Sequence, residues 1–166
     1  MTVLPTVFRL RSNSPENTRA LGERIGRLCA AGTVIALTGD LGSGKTAFVQ
    51  GLARGLGVPP SCPVTSPSYT LVNQYPGVRL NLCHIDLYRL NHPDQIDDLG
   101  IDEIPGSGQV TAVEWAHKLG PDLWNEDLDI ALDIVEDTVR DIRVTPCSAK
   151  GEALVEQLIR RERKKK

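Results

Sequence analysis

The stretch Gly39-Asp40-Leu41-Gly42-Ser43-Gly44-Lys45-Thr46 matches the spacing G-x-x-x-x-G-K-[ST] of a phosphate-binding loop. Its flanks decide the reading, because the motif works only at a strand-to-helix turn. The apolar run Val34-Ile35-Ala36-Leu37 leads into it as a buried parallel strand, and Phe48, Leu52 and Leu56 recur four apart behind it on one helical face. Glycines let the backbone curl so that successive N–H groups point inward, and the new helix adds its positive end to that cradle. In this frame Lys45 reaches the β- and γ-phosphates of a nucleotide, and the Thr46 hydroxyl ligates magnesium.

Outward from the loop, 166 residues with 40% hydrophobic and 24% charged side chains suffice for one core. Residues 1–161 are expected to form a single domain and 162–166 a basic tail. The stretch Met1-Thr2-Val3-Leu4-Pro5 lacks the basic region and apolar core of a signal peptide, and no apolar run is long enough to span a membrane. A cytoplasmic protein without a membrane partner is expected. Cys29, Cys62, Cys83 and Cys147 are scattered with no C-x-x-C pair, which reads as buried free thiols rather than a disulfide framework or metal site. At a formal net charge of −2 the body is not that of a nucleic-acid binder. The basic end from Arg160 onward is compatible with contact to RNA or an acidic partner, although a solvated end is the simpler reading.

Ahead of the loop, Thr6 to Leu10 alternates like a short strand. Ser14 followed by Pro15 then caps an amphipathic helix to about Ala31 that Gly32 ends. Behind it, Gly57-Val58-Pro59-Pro60 stops the second helix. Hydroxyls then cluster in Val64-Thr65-Ser66-Pro67-Ser68-Tyr69-Thr70-Leu71-Val72 ahead of a strand-like segment; a γ-phosphate-sensing switch and a plain polar loop both fit. Leu80 to Tyr88 and Val110 to Val113 read as strands ending near Asp86 and Glu114. A phosphate-loop protein needs an acid at such a strand tip to hold magnesium or polarise the attacking water, and spacing does not choose between the two. His84 shares the face of Asp86 and suits an orienting hydrogen bond better than catalysis. Trp115 fits either core packing or stacking on a base. The acidic stretch Asn91 to Glu103, partly helical in pattern, fits a solvated face or carboxylates that close over the site or repel the wrong polyanion, and Leu119 to Asn125 reads as a turn-rich connection. Leu128–Ile134 and Val139–Val144 around the turn Glu136-Asp137-Thr138 form an antiparallel hairpin, expected at a sheet edge. Arg140 and Arg143 on it are either phosphate donors or ordinary exposed arginines. Ala149 to Arg161 is a closing helix.

These signals, in this order, resemble the bacterial TsaE (YjeE) ATPases that assist synthesis of threonylcarbamoyladenosine in tRNA. The pieces that carry the likeness are the phosphate loop, Ser66 to Val72, His84-Ile85-Asp86-Leu87-Tyr88-Arg89-Leu90, Leu99-Gly100-Ile101 and Val113-Glu114-Trp115. The resemblance implies a three-layer α/β domain of the P-loop NTPase type with a mostly parallel central sheet. It implies ATP and magnesium as cofactors, with Thr46 and Glu114 as metal ligands and Asp86 as the other essential acid, acting in hydrolysis. By the same likeness Trp115 lies at the nucleotide, Thr18 near the base, and Thr65, Ser66, Ser68, Tyr69 and Thr70 form the switch. His117 and Arg140 fall at positions that contact nucleotide. The chain departs from the family after the tryptophan, where Ala116 and His117 replace Pro and an acidic or amide residue, and Ser68 stands where Thr is common.

The family role further implies binding to TsaB and TsaD. TsaD transfers the threonylcarbamoyl group to adenosine 37 of tRNAs reading codons that begin with A, so tRNA is met through that complex. ATP hydrolysis, weak without partners, drives turnover of the assembly. Two alternatives use the same loop: a small-molecule kinase, and a nucleotide-gated binding module with negligible turnover. Against the kinase, Arg89 is the only arginine between Arg79 and Arg140, too few for an arginine-rich lid.

Overall fold

The computed structural model describes residues 4–92, 94–106, 108–120 and 124–165, with the side chains at 102, 105 and 106 excepted. Among the described residues seven strands form one sheet: β1 (Phe8–Ser12), β2 (Val34–Thr38), β3 (Val72–Tyr75), β4 (Leu82–Asp86), β5 (Val110–Glu114), β6 (Leu128–Ile134) and β7 (Arg140–Pro146). Their order is β1-β7-β6-β2-β5-β4-β3. The four central strands, β6, β2, β5 and β4, run parallel, and antiparallel pairs close both sides. Helices α1 (Pro15–Leu28), α2 (Lys45–Leu56) and α4 (Ala149–Arg163) cover one face. The other face carries the short α3 (Asp94–Asp97) and two 3-10 segments, Ile101–Gly106 and Ala116–Leu119. A smaller core of Cys83, Ile85, Leu87, Ile96, Ile101 and Val113 lies beneath them. The expected P-loop NTPase-like α/β fold with its parallel centre and late hairpin is the fold observed, with the second helical layer thin.

Parallel strands buried on both faces need continuous apolar runs, and β2 and β5 supply them: Val34 to Leu37 and Val110 to Glu114 are buried at every position. The helices begin and end as their caps dictate. Ser14 Oγ accepts from Asn17 N–H at 3.2 Å with Pro15 in the first turn, and Gly57 ends α2 in the left-handed region, bonding back to Ala53 and Arg54.

Several boundaries differ from the sequence reading. Helix α1 stops at Leu28, three residues short of Ala31. There Cys29 turns extended, and the Arg79 guanidinium, arriving from the β3–β4 connection, binds the carbonyls of Gly26 and Cys29. A distant arginine thus satisfies the terminal carbonyls that further helical turns would otherwise occupy. Strand β1 lies two residues later than its alternation suggests, because β7 offers backbone partners through Ser12 and Arg11 pairs with Asp141 at 2.8 Å. The hairpin β6–β7 is present but is not the sheet edge, since β1 adds outside it. The strand after the hydroxyl cluster starts only at Val72; Leu71, at φ +66°, bonds back to Pro67 and leaves the preceding residues in turns. Helix α4 runs on to Arg163, and Glu162 pairs with Arg24 of α1, so the basic tail starts inside a packed helix. Part of the connection from Leu119 to Asn125, residue 93 of the acidic stretch, and residue 166 of the tail lie outside the described residues.

The α1–α2 contact depends on glycines. A Cβ at Gly22 would overlap the Phe48 carbonyl, at Gly26 the Leu52 carbonyl, at Gly51 the Arg19 carbonyl and at Gly55 the Glu23 carbonyl. Two i, i+4 glycine pairs let the backbones touch, and α1 is thereby pinned along α2. Only Cys29 and Cys83 are buried among the free cysteines; Cys62 is half-buried and Cys147 exposed. Burial pushes the Cys29 thiol up to about 12 and that of Cys83 to about 11. Among the described residues no helix is long and apolar enough to cross a membrane.

Replacing Gly51 by Ala is expected to cost about 3 kcal/mol through overpacking, read as a lower urea midpoint; an unchanged midpoint would show that the helices can separate without penalty. Iodoacetamide at pH 8 is expected to label Cys62 and Cys147 in the folded protein, and Cys29 and Cys83 only after denaturation, as mapped by peptide mass.

Candidate functional site

Strand register builds the site. Leu37 of β2 pairs with Glu114 of β5, which pairs with Asp86 of β4, so both acids end their strands beside the loop that follows β2. Asp86 and Glu114 are each 3% exposed and His84 is fully buried, so their partners must come from the protein. His84 Nε2 lies 2.8 Å from Glu114 Oε1, and the acceptor-only carboxylate makes that ring nitrogen the donor. The orienting role read for His84 is the one its geometry supports. Asp86 Oδ2 accepts from Ser66 Oγ at 2.6 Å, and its Oδ1 from the Tyr88 N–H at 2.9 Å.

The loop is curled as its glycines allow, with Gly44 at φ +103° immediately before α2. Lys45 is buried at its mouth. Its Nζ donates to the carbonyls of Gly39 at 2.7 Å and Asp40 at 3.0 Å, and lies 4.6 Å from the centre of the Trp115 ring. Burial lowers the ammonium pKa from its ordinary value, while Glu114, Asp86 and Asp40 pull the other way. Thr46 Oγ1 donates to Glu114 Oε1 at 3.4 Å. Leu41 to Thr46 line a cavity of about 300 Å³ together with Ser66, Ser68, Asp86, Tyr88, Glu114 and Trp115. A glycine-rich loop with Gly42 and Gly44 at positive φ, a cation and the positive end of α2 suit a phosphate-type anion. The neighbouring hydroxyl and carboxylate are hard oxygen donors of the kind magnesium takes.

Not every candidate reaches this cavity. Thr18 is buried in the first turn of α1, its hydroxyl 2.8 Å from Ser12 Oγ and its methyl facing Gly44. Trp115 is half-buried at the rim with φ +61°; its ring lies 5.2 Å from that of Tyr88, tilted by 45°, and packs on the smaller core, as the core-packing reading has it. His117 sits beyond Trp115, edge-on at 5.9 Å, and lines a separate cavity of about 510 Å³. That larger cavity is lined by Glu126 and Asp129 with no lysine or arginine among its described lining residues, so it offers a phosphate no cationic partner; burial raises the Asp129 carboxyl pKa. Arg140 lies behind the loop, donating to the carbonyls of Ser43 and Gly42 at 3.0 and 3.1 Å.

In the hydroxyl-rich segment, Ser68 Oγ lies 3.5 Å from Ser66 Oγ, and Thr70 bonds Asn73. The Thr65 backbone is held by the Tyr75 hydroxyl at 3.3 Å, while Tyr69 is 83% exposed under the Arg89 guanidinium at 4.2 Å. Sequence reasoning missed the tether Arg19 Nε to Gln50 Oε1, with Gln50 Nε2 to the Val64 carbonyl. It also missed Lys118, whose Nζ donates to the carbonyls of Tyr88 and Leu90. Single polar side chains on helix faces carry no periodic signal that would have announced either.

Residues 12–142 match the family described as Threonylcarbamoyl adenosine biosynthesis protein TsaE. The chain belongs to the TsaE family. Among its relatives, the tRNA threonylcarbamoyladenosine biosynthesis protein TsaE of Bacillus subtilis is 38% identical over 155 residues, covering 93% of this chain and 96% of the relative. That of Treponema pallidum is 38% identical over 137 residues, covering 82% and 99%. The crystal structure of Bacillus subtilis YdiB superposes with a TM-score of 0.82 at 34% identity, over 97% of this chain and 99% of that one. The TsaE match spans the loop, the hydroxyl-rich segment and both acids, so the site described above lies wholly within the shared region.

Replacing His84 by Leu deletes the donor to a buried carboxylate and is expected to cost about 2 kcal/mol, read in urea unfolding. His84→Gln, which keeps an N–H, should recover part of the loss. Equal midpoints for wild type and His84→Leu would remove the bond from the account of the site.

Proposed function

We propose that this TsaE-family chain is a magnesium-dependent ATPase that supports threonylcarbamoyl modification of adenosine 37 in tRNA, driving turnover of a TsaB–TsaD complex. The observation that carries the reading is the convergence of a curled phosphate loop with two buried acids at adjacent strand ends.

In this reading the loop from Leu41 to Thr46 cradles the phosphates. Lys45 leaves the carbonyls it now binds and takes the β- and γ-phosphate oxygens, a stronger partner for an ammonium than neutral carbonyls. Thr46 and Glu114 hold magnesium, which supplies neutralisation of charge on the phosphate oxygens. His84 keeps Glu114 aimed. Asp86 orients and polarises the attacking water, and its bond to Ser66 couples that act to the switch, Thr65 to Thr70. Trp115 closes the rim over the nucleotide, with Thr18 backing the loop on the side of the base.

Dependence on partners fits the surface around the mouth. Leu41 and Tyr88, 70% and 43% exposed, line the cavity, and Tyr69, 83% exposed, follows the lining Ser68 in sequence, so large exposed groups stand at an open cavity that other proteins would have to cover. Completion by TsaB and TsaD excludes water and fixes the switch, which accounts for weak hydrolysis by the chain alone. Contact with tRNA is through that complex.

Magnesium-dependent ATP hydrolysis is expected to rise when TsaB and TsaD are added, measured as phosphate release; no stimulation would overturn the partner assignment. Glu114→Ala should mainly weaken magnesium-dependent nucleotide binding. Asp86→Ala should bind nucleotide nearly as wild type but hydrolyse about 100-fold more slowly, the usual scale for a positioned acid–base group. Wild-type binding and turnover in both variants would remove both roles.

A further inference from the structure

We propose that Arg140 is a positioning residue that holds the phosphate loop in its binding shape from behind, before any nucleotide arrives. Its guanidinium meets five backbone carbonyls. Nε donates to Ser43 and Nη2 to Gly42, while Nη1 is shared among Glu136, Asp137 and Val139 at 2.7 to 3.1 Å. Two of these carbonyls belong to the loop and three to the β6–β7 turn. A flexible glycine loop is thus clamped to a rigid hairpin.

The hairpin can bear this. Arg140 starts β7, paired on one side with Ile134 of β6 and on the other with Ser12 of β1. Ser12 in turn bonds Thr18, whose methyl backs Gly44. The outer wall of the loop is therefore held through the three-stranded antiparallel part of the sheet and not by α2 alone.

The clamp acts through peptide geometry. In a trans peptide the C=O and N–H point in opposite directions. Fixing the Gly42 and Ser43 carbonyls outward turns the amides of Ser43 and Gly44 to the inner side of the loop, where the Ser43 amide now bonds the Asp40 carbonyl. A cation on the carbonyl end also polarises each peptide and makes its N–H a better donor to an anion. The planar fork suits two adjacent carbonyls, and a lysine ammonium would meet them as a single point. Among the described residues only one of the five N–H groups, on Nη2, lacks an acceptor, so direct contact with phosphate is a minor role for this side chain.

This inference rests on the proposal that the loop binds ATP, and the test separates the two. ADP and ATP affinities are measured by calorimetry for wild type, Arg140→Gln and Arg140→Lys, with amide hydrogen exchange of residues 40–46 followed without nucleotide. Loss of the clamp should weaken ADP and ATP by the same factor, about tenfold to a hundredfold. It should also speed loop exchange while leaving β2 protected, with Lys intermediate. A loss confined to ATP would instead make Arg140 a contact to the γ-phosphate and overturn the proposal, as would unchanged affinity and exchange. If Arg140→Gln fails to fold, Arg140→Lys is read by the same criteria. If wild type binds neither nucleotide, the ATPase reading falls, and loop exchange alone still tests the clamp.

Discussion

Parallel pairing of β2, β5 and β4 in one register is the constraint from which the site follows. Strands that run the same way end at the same edge, so the residue after each meets its neighbours there. Leu37, Glu114 and Asp86 stand abreast. The loop, the acid nearest Thr46 and the acid bound to Ser66 are thus assembled by backbone hydrogen bonding alone. A slip of one residue in β5 would send Glu114 to the opposite face and place Val113 beside the loop. The apolar runs on both faces of these strands make such a slip costly.

Once that edge exists, the surrounding contacts limit how far its parts can move. Glycine-mediated contact presses α1 onto α2, so the first turn of α1 and the start of α2 share one frame. Arg19 and Gln50 extend that frame to Val64, next to the hydroxyl-rich segment. Ser66 then ties the segment to Asp86. The neutral Gln50–Val64 bond contributes about 1 kcal/mol and the charge-assisted bonds of Arg19 and Asp86 about 2 kcal/mol each, weak enough to be exchanged when a stronger ligand arrives. The α1–α2 backbone contact offers no such exchange.

Charge at the site is mixed, one ammonium among carboxylates. Lys45 spends its donors on loop carbonyls and lies against the Trp115 ring, with two buried carboxylates close by. An anion in the cradle would relieve that crowding by giving the ammonium a charged partner, while a cation would do the same for the acids. The larger cavity, with Glu126 and Asp129, has two acids as well but no lysine, arginine or phosphate loop among its described lining residues. The distinction between the two lies in the ammonium and the loop, not in volume.

Much of this was legible in the chain itself. The phosphate loop, the strand before it, the helix caps at Ser14 and Gly57, the paired acids and the late hairpin are all local patterns, and local patterns are set by backbone sterics and periodicity within a few residues. Residue order also carried the TsaE resemblance. What only the tertiary structure decided involves partners far apart in sequence: Arg79 ending α1, β1 displacing the hairpin from the sheet edge, His84 bonding Glu114, His117 falling into a neighbouring cavity, and Arg140 spent on loop carbonyls. A long polar side chain has many acceptors within reach, and its own neighbours in sequence do not name the one it takes. That choice is made when strands and helices pack, because only then does burial make an unpaired group costly.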